Sequence, residues 1–187
     1  MSKTKSNVMT DFVAPIAVLV VICVVMSALL ALTNGATEPI IKAAELEAQK
    51  AARMEVLPGA DDFLQVEIDG LPEAVTEVYQ ASNGAGYTFS IVAQGYGGKN
   101  TLKMAVGIDM DGKITGTKVL SHKETVGLGS KIETDESFYG QFPGQDAAYV
   151  SDLKNIDTIS GATRSSNFYR LALTYAFEAY DLVKEAA

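Results

Sequence analysis

The clearest chemical capacity in the chain lies in ten residues between a β-like run and a helical one: Asp157-Thr158-Ile159-Ser160-Gly161-Ala162-Thr163-Arg164-Ser165-Ser166. The N-terminus of a helix presents N–H groups without intrahelical acceptors and carries a partial positive charge, so both features stabilise an anion placed there. Gly161 and Ala162 are nearly devoid of side chain, which lets a bulky group approach the backbone, while Ser160 and Thr163 supply hydroxyls beside it. The chemistry offered is the holding of a phosphate. A plainer reading stays open on these residues alone, in which Thr163, Ser165 or Ser166 caps the helix and does nothing else.

Two further glycine-rich pieces precede this one. They are Gly95-Tyr96-Gly97-Gly98 and His122-Lys123-Glu124-Thr125-Val126-Gly127-Leu128-Gly129-Ser130-Lys131-Ile132. In the second, a turn built on glycine can lay backbone N–H groups against a ligand edge. Taken in order with Ser160-Gly161-Ala162-Thr163 and following an apolar N-terminal run, they resemble the FMN-binding domain of the RnfG component of Rnf-type complexes, a domain shared with the NqrC component of the sodium-pumping NADH:quinone oxidoreductase. The resemblance implies that FMN is joined through its phosphate to Thr163 as a phosphodiester, installed by a separate flavin transferase. It implies a cofactor site made of Thr163, Ser160, Gly161, Ala162, Glu124, Thr125, Gly127, Leu128 and Gly129, with no catalytic residue of the chain's own and no metal. It implies partners too, the other subunits of a complex that passes electrons between ferredoxin and NAD while pumping sodium ions or protons. Two positions depart from the family's usual pattern, Val126 and Lys99, where proline is common. An NqrC-like protein is the nearest alternative. An anchored non-redox module that binds a phosphate-bearing ligand or a partner protein is another, and visible colour in the purified protein separates it from both flavoproteins.

These pieces need a frame. Period-two runs at residues 75–79, 86–93, 102–109 and 113–121 predict a strand meander, with Asp111-Gly112 as a two-residue hairpin turn between the last two. From residue 166 to 184 the period changes to 3.6, with Phe168, Leu171, Ala172, Tyr175, Ala176, Ala179 and Leu182 on one stripe. The expected fold is α+β, a mainly antiparallel sheet packed against helices over residues 61–187. Asp61, Asp62, Asp69-Gly70 and Leu71-Pro72 read as turns, and Tyr87, Tyr96 and Tyr169 as core rather than ligand-stacking residues. Upstream, Thr37 as a cap and Pro39 in the first turn predict a separate helix ended by Pro58-Gly59, a stalk or connector within residues 33–60.

The 48% apolar content is concentrated at the start, where about 21 residues, 12–32, carry no charge. At ~1.5 Å per residue such a helix spans the ~30 Å core of a bilayer. A signal peptide has an apolar core of only about 7 to 15 residues, so retention as an anchor is expected. Cys23 follows Ile22 rather than the small residue a lipoprotein signal needs, so it reads as an inert cysteine of the span. Residues 1–11, with Lys3 and Lys5, form a short basic leader that is expected to stay in the cytoplasm, sending the C-terminal domain to the other side of the inner membrane. A single cysteine excludes a disulfide framework and a thiolate metal cluster. The net charge is −8, with +1 on residues 1–32 and −9 on the remainder, which disfavours nucleic acid as a partner.

Overall fold

In the computed structural model, residues 13–186 are described, and the chain forms two compact units, Met1–Glu47 and Ala48–Ala187. The leader at residues 1–11 and Phe12 lie outside the described residues. The first element, α1, is one continuous helix of 43 residues, Ala14–Val56, and it is long and apolar enough to cross a membrane. Its aliphatic side chains, among them Leu19, Ile22, Leu30 and Leu32, are exposed.

The expected helix start at Thr37 is absent. Instead of capping, the Thr37 hydroxyl donates back to the carbonyls of Thr33 (2.9 Å) and Asn34 (3.4 Å), a bond available in mid-helix. Pro39 sits inside the helix, where its ring crowds the carbonyl four residues back. That carbonyl belongs to Gly35. The compact unit therefore begins at Ala48, within a helix that started in the apolar run.

Five strands follow: β1 (Phe63–Val66), β2 (Val75–Ala81), β3 (Gly86–Gly95), β4 (Gly98–Asp109) and β5 (Ile114–His122). Each pairs antiparallel with its neighbour in sequence, in the order β1-β2-β3-β4-β5. The antiparallel α+β fold expected from the sequence is the one observed. β1 is an addition to that expectation, because it is a four-residue edge strand flanked by Asp61 and Asp62, whose composition signals a turn. Between β4 and β5 the connection takes four residues rather than two. The Asp109 carboxylate accepts from the N–H groups of Asp111 and Lys113 and so builds its own turn, with Gly112 at φ +76°.

After β5 come three short helices, α2 (Lys131–Thr134), α3 (Glu136–Tyr139) and α4 (Ala147–Ser151), then a 3₁₀ turn and α5 (Thr163–Ala186). The inner face of the sheet, with Val78, Phe89, Ile91, Leu102, Met104, Val106 and Ile108 alternating inward, packs on α5 and the short helices. Burying each such side chain contributes about 1.5 to 3 kcal/mol. The buried stripe of α5 is Tyr169, Leu173, Phe177, Tyr180 and Val183 with Ala172, Ala176 and Ala179, whereas Phe168, Leu171, Tyr175 and Leu182 are half-buried. Two stripes share the alanines. The aromatic cluster of Phe138, Phe142 and Tyr169, with ring centroids 5.2 to 5.5 Å apart, selects the one observed.

The outer face is covered by the last turns of α1. Ala52 and Val56 pack on Ala105 and Leu120, and Arg53 stacks 3.6 Å above the Tyr79 ring while pairing with Glu77 at 3.4 Å. Gly107 and Gly116 are cross-strand partners directly beneath Val56, where a Cβ on either would strike backbone. The Thr115 hydroxyl donates to the Val56 carbonyl, one of those left without a partner at a helix end.

Candidate functional site

Three segments far apart in sequence meet at one end of the sheet. The β3–β4 turn, Gly95 to Gly98, lies against the residues just beyond β5, because Gly95 and Gly97 leave no side chain where Glu124 Oε1 and the Lys123 carbonyl must sit. The loop of residues 123–130 folds on itself: the N–H groups of Leu128 and Ser130 both donate to the Thr125 carbonyl, and the Gly127 N–H donates to Ser130 Oγ at 2.9 Å. Gly127 reaches this geometry with φ +77°, a conformation costly for a residue with a Cβ. The third segment is the start of α5, approached through a turn in which Gly161 has φ +77° and Leu128 Cδ1 lies 3.1 Å from where its Cβ would be.

Between them is a cleft of about 340 Å³ lined by Tyr96, Thr125, Leu128, Gly129, Gly161, Ala162, Thr163, Arg164 and Ser165. That size lies within the ~300 to 1,000 Å³ usual for small-molecule and cofactor sites. Of the residues expected at the site, Thr125, Leu128, Gly129, Gly161, Ala162 and Thr163 line the cleft. Gly127 and the exposed Ser160 lie outside its lining and shape the two turns that form it. Glu124 stands behind the wall, 7% exposed, with Oε1 accepting from the Tyr96 N–H at 2.7 Å and Oε2 accepting from the Ser165 hydroxyl. His122 faces away: its Nδ1 accepts from the Glu124 N–H (3.2 Å), so Nε2 carries the proton and meets Glu133 at 3.1 Å, tying the loop to α2.

The three hydroxyls at the helix start are not equivalent. Ser165 is buried and committed to Glu124, and Ser166 is buried, donating to the Ala162 carbonyl and accepting from the Ile159 N–H. Thr163 is exposed, begins the helix instead of capping it, and its hydroxyl makes no hydrogen bond within the described residues. The first helical bond of α5 is Ser166 N–H to Ala162 O. The N–H groups of Thr163, Arg164 and Ser165 therefore have no intrahelical acceptor, and all three residues line the cleft. The Arg164 guanidinium lies 5.6 Å from the centroid of the Tyr96 ring, so a cation and an aromatic face flank the opening. Tyr96, read from sequence as core, is 56% exposed at the rim. Its position between glycines in a tight turn is the signal that it points outward. Tyr87 and Tyr169 are buried in the core.

This end of the domain coincides with a known family. Residues 95–178, from the β3–β4 turn into α5, match the FMN-binding domain. The chain is 39% identical over 160 residues to an ion-translocating oxidoreductase complex subunit of Methanosarcina acetivorans, covering 81% of this chain and 85% of that protein. It is 31% identical over 185 residues to a Na(+)-translocating ferredoxin:NAD(+) oxidoreductase complex subunit of Acetobacterium woodii, covering 87% and 88%. The proton-translocating counterpart from Clostridium ljungdahlii is 29% identical over 157 residues, covering 79% and 80%. The chain belongs to the RnfG family of ion-translocating oxidoreductase complex proteins, and its residues 95–178 are an FMN-binding domain.

Proposed function

We propose that this chain is the electron-transferring RnfG component of an ion-translocating ferredoxin:NAD oxidoreductase, and that it holds FMN in the cleft through a phosphodiester to Thr163. The observation that carries the covalent part is the inequivalence of the hydroxyls: Thr163 alone of the three is exposed and uncommitted, and it opens onto the cleft. The diester keeps one negative charge, which the first-turn N–H groups of α5 and Arg164 stabilise. When bound, FMN supplies the redox chemistry; the chain's residues fix its place and its surroundings. Thr125, Leu128, Gly129 and Tyr96 provide the remaining wall.

In this reading residues 12–32 span the inner membrane once, the leader is cytoplasmic, and the domain with the cleft lies on the extracytoplasmic side. Its partners are the other subunits of the complex and, during maturation, a flavin transferase. The test is intact-mass measurement of the full chain produced with and without a flavin transferase. A mass increase of one FMN less water is expected with the transferase only, and Thr163→Ala should abolish it while Ser165→Ala and Ser166→Ala retain it. An increase that survives in Thr163→Ala assigns the attachment elsewhere.

A further inference from the structure

Glu124 is buried, and among the described residues no cationic side chain pairs with it. Its two partners are neutral donors on separate segments, Tyr96 in the β3–β4 turn and Ser165 on the first turn of α5. Oε1 is placed to accept from the Tyr96 N–H and Oε2 from the Ser165 hydroxyl. A buried charge without a counter-charge is costly. Hydrogen bonding alone does not demand it, because glutamine could accept from the Tyr96 N–H with its oxygen and donate to Ser165 Oγ with its nitrogen. The surroundings are shaped to this one group: a Cβ on Gly95 would come to 2.5 Å from Oε1, and one on Gly129 to 2.9 Å from Oε2. Gly129 and Ser165 both line the cleft, so the carboxylate sits one layer behind its wall.

We propose that Glu124 is a positioning residue, a charged strut that clamps the Tyr96 turn to the start of α5 and disfavours the gain of negative charge in the cleft. The second half rests on the reading that FMN occupies the cleft. Reduction adds electrons there, so a fixed anion one layer away lowers the midpoint potential, while the clamp holds Tyr96 and Arg164 across the opening from one another. The contact is 28 residues long on one side and 41 on the other, so neither segment could hold this geometry by local structure.

The test uses the full chain in detergent, unloaded and flavin-loaded, as wild type, Glu124→Gln and Glu124→Ala. In the unloaded protein, hydrogen exchange at the Tyr96 amide should be slow in wild type and in Glu124→Gln, and faster by about tenfold or more in Glu124→Ala. In the loaded protein, Glu124→Gln should keep full covalent attachment and titrate at a more positive potential than wild type. Unchanged Tyr96 exchange in Glu124→Ala overturns the strut, and an unchanged potential in Glu124→Gln overturns the role of the charge. Where the alanine variant does not fold, Glu124→Asp, which withdraws the carboxylate by one methylene, must show the faster Tyr96 exchange instead. A wild type that takes up no flavin refutes the functional reading and the charge role together, while the exchange measurement still decides the strut.

Discussion

Two glycines in the cleft loop, Gly127 and Gly129, are required for different reasons, and replacing each with alanine separates them. At Gly129 a Cβ would lie 2.7 Å from Ser165 Oγ, 2.9 Å from Glu124 Oε2 and 3.1 Å from Glu124 Cβ. The two polar groups cannot both stay, so their hydrogen bond breaks, and losing a hydrogen bond to a charged group costs about 1.5 to 3 kcal/mol. At Gly127 a Cβ would meet nothing within 4 Å, and the penalty is that of holding φ +77° with a side chain, about 1 kcal/mol. Gly129→Ala should therefore be destabilised about twice as much as Gly127→Ala. It should also load less flavin, because Ser165 is displaced on the same helical turn as Thr163. Guanidinium unfolding in detergent, followed by near-ultraviolet circular dichroism of the eight tyrosines in a chain without tryptophan, measures the first quantity. Intact mass after exposure to the transferase measures the second. A Gly127→Ala variant as costly as Gly129→Ala, or a Gly129→Ala variant of wild-type stability and loading, would refute the geometry of the Glu124–Ser165 pair.

Other outcomes follow from single contacts. Tyr169→Phe leaves the Thr117 hydroxyl without its 2.7 Å partner and should cost about 1 kcal/mol at neutral pH by thermal unfolding. Burial pushes the Tyr169 phenol up, so it stays neutral in the folded chain while the unfolded chain ionises near pH 10; its contribution is complete below that pH and is lost as pH rises above it, and Tyr169→Phe should show a shallower alkaline decline. Gly116→Val drives a side chain into the Val56 backbone, 2.9 Å from its Cα even at the Cβ, and should cost about 2 to 3 kcal/mol in a denaturant titration. An export-dependent reporter fused after Ala187 should be active and a cytoplasm-dependent one silent; the opposite pattern would reverse the topology.

The meander could be read from the sequence because β2 to β5 each bury one face against the core, and burial on one face writes itself as alternation. β1 left no such trace, being four residues long with Leu64 and Gln65 exposed. The short helices after β5 are too brief for a 3.6-residue period to declare itself. The run through Thr37 and Pro39 carries the marks of a helix start, and they are outweighed by a helix already propagating from the apolar segment. At the site, glycine and threonine spacing picked out segments that the fold brings together around one cleft. The Glu124 link could not be read, since its partners lie 28 and 41 residues away and nothing local distinguishes a strut from a solvated acid.

The order of strands has a consequence in time. Because every strand pairs with the one before it, the sheet can zip up from the N-terminal side as the chain lengthens, closing only short loops, the kind of topology that folds fast. The short helices cover part of its inner face, and the rest stays open until α5, the last 24 residues described, docks on it. Thr163 is the first residue of that helix, and the cleft needs Ser165 and Arg164 in place beside it. The cleft therefore has its full wall only once α5 has docked, and a ligand that needs every side of it must wait for that helix.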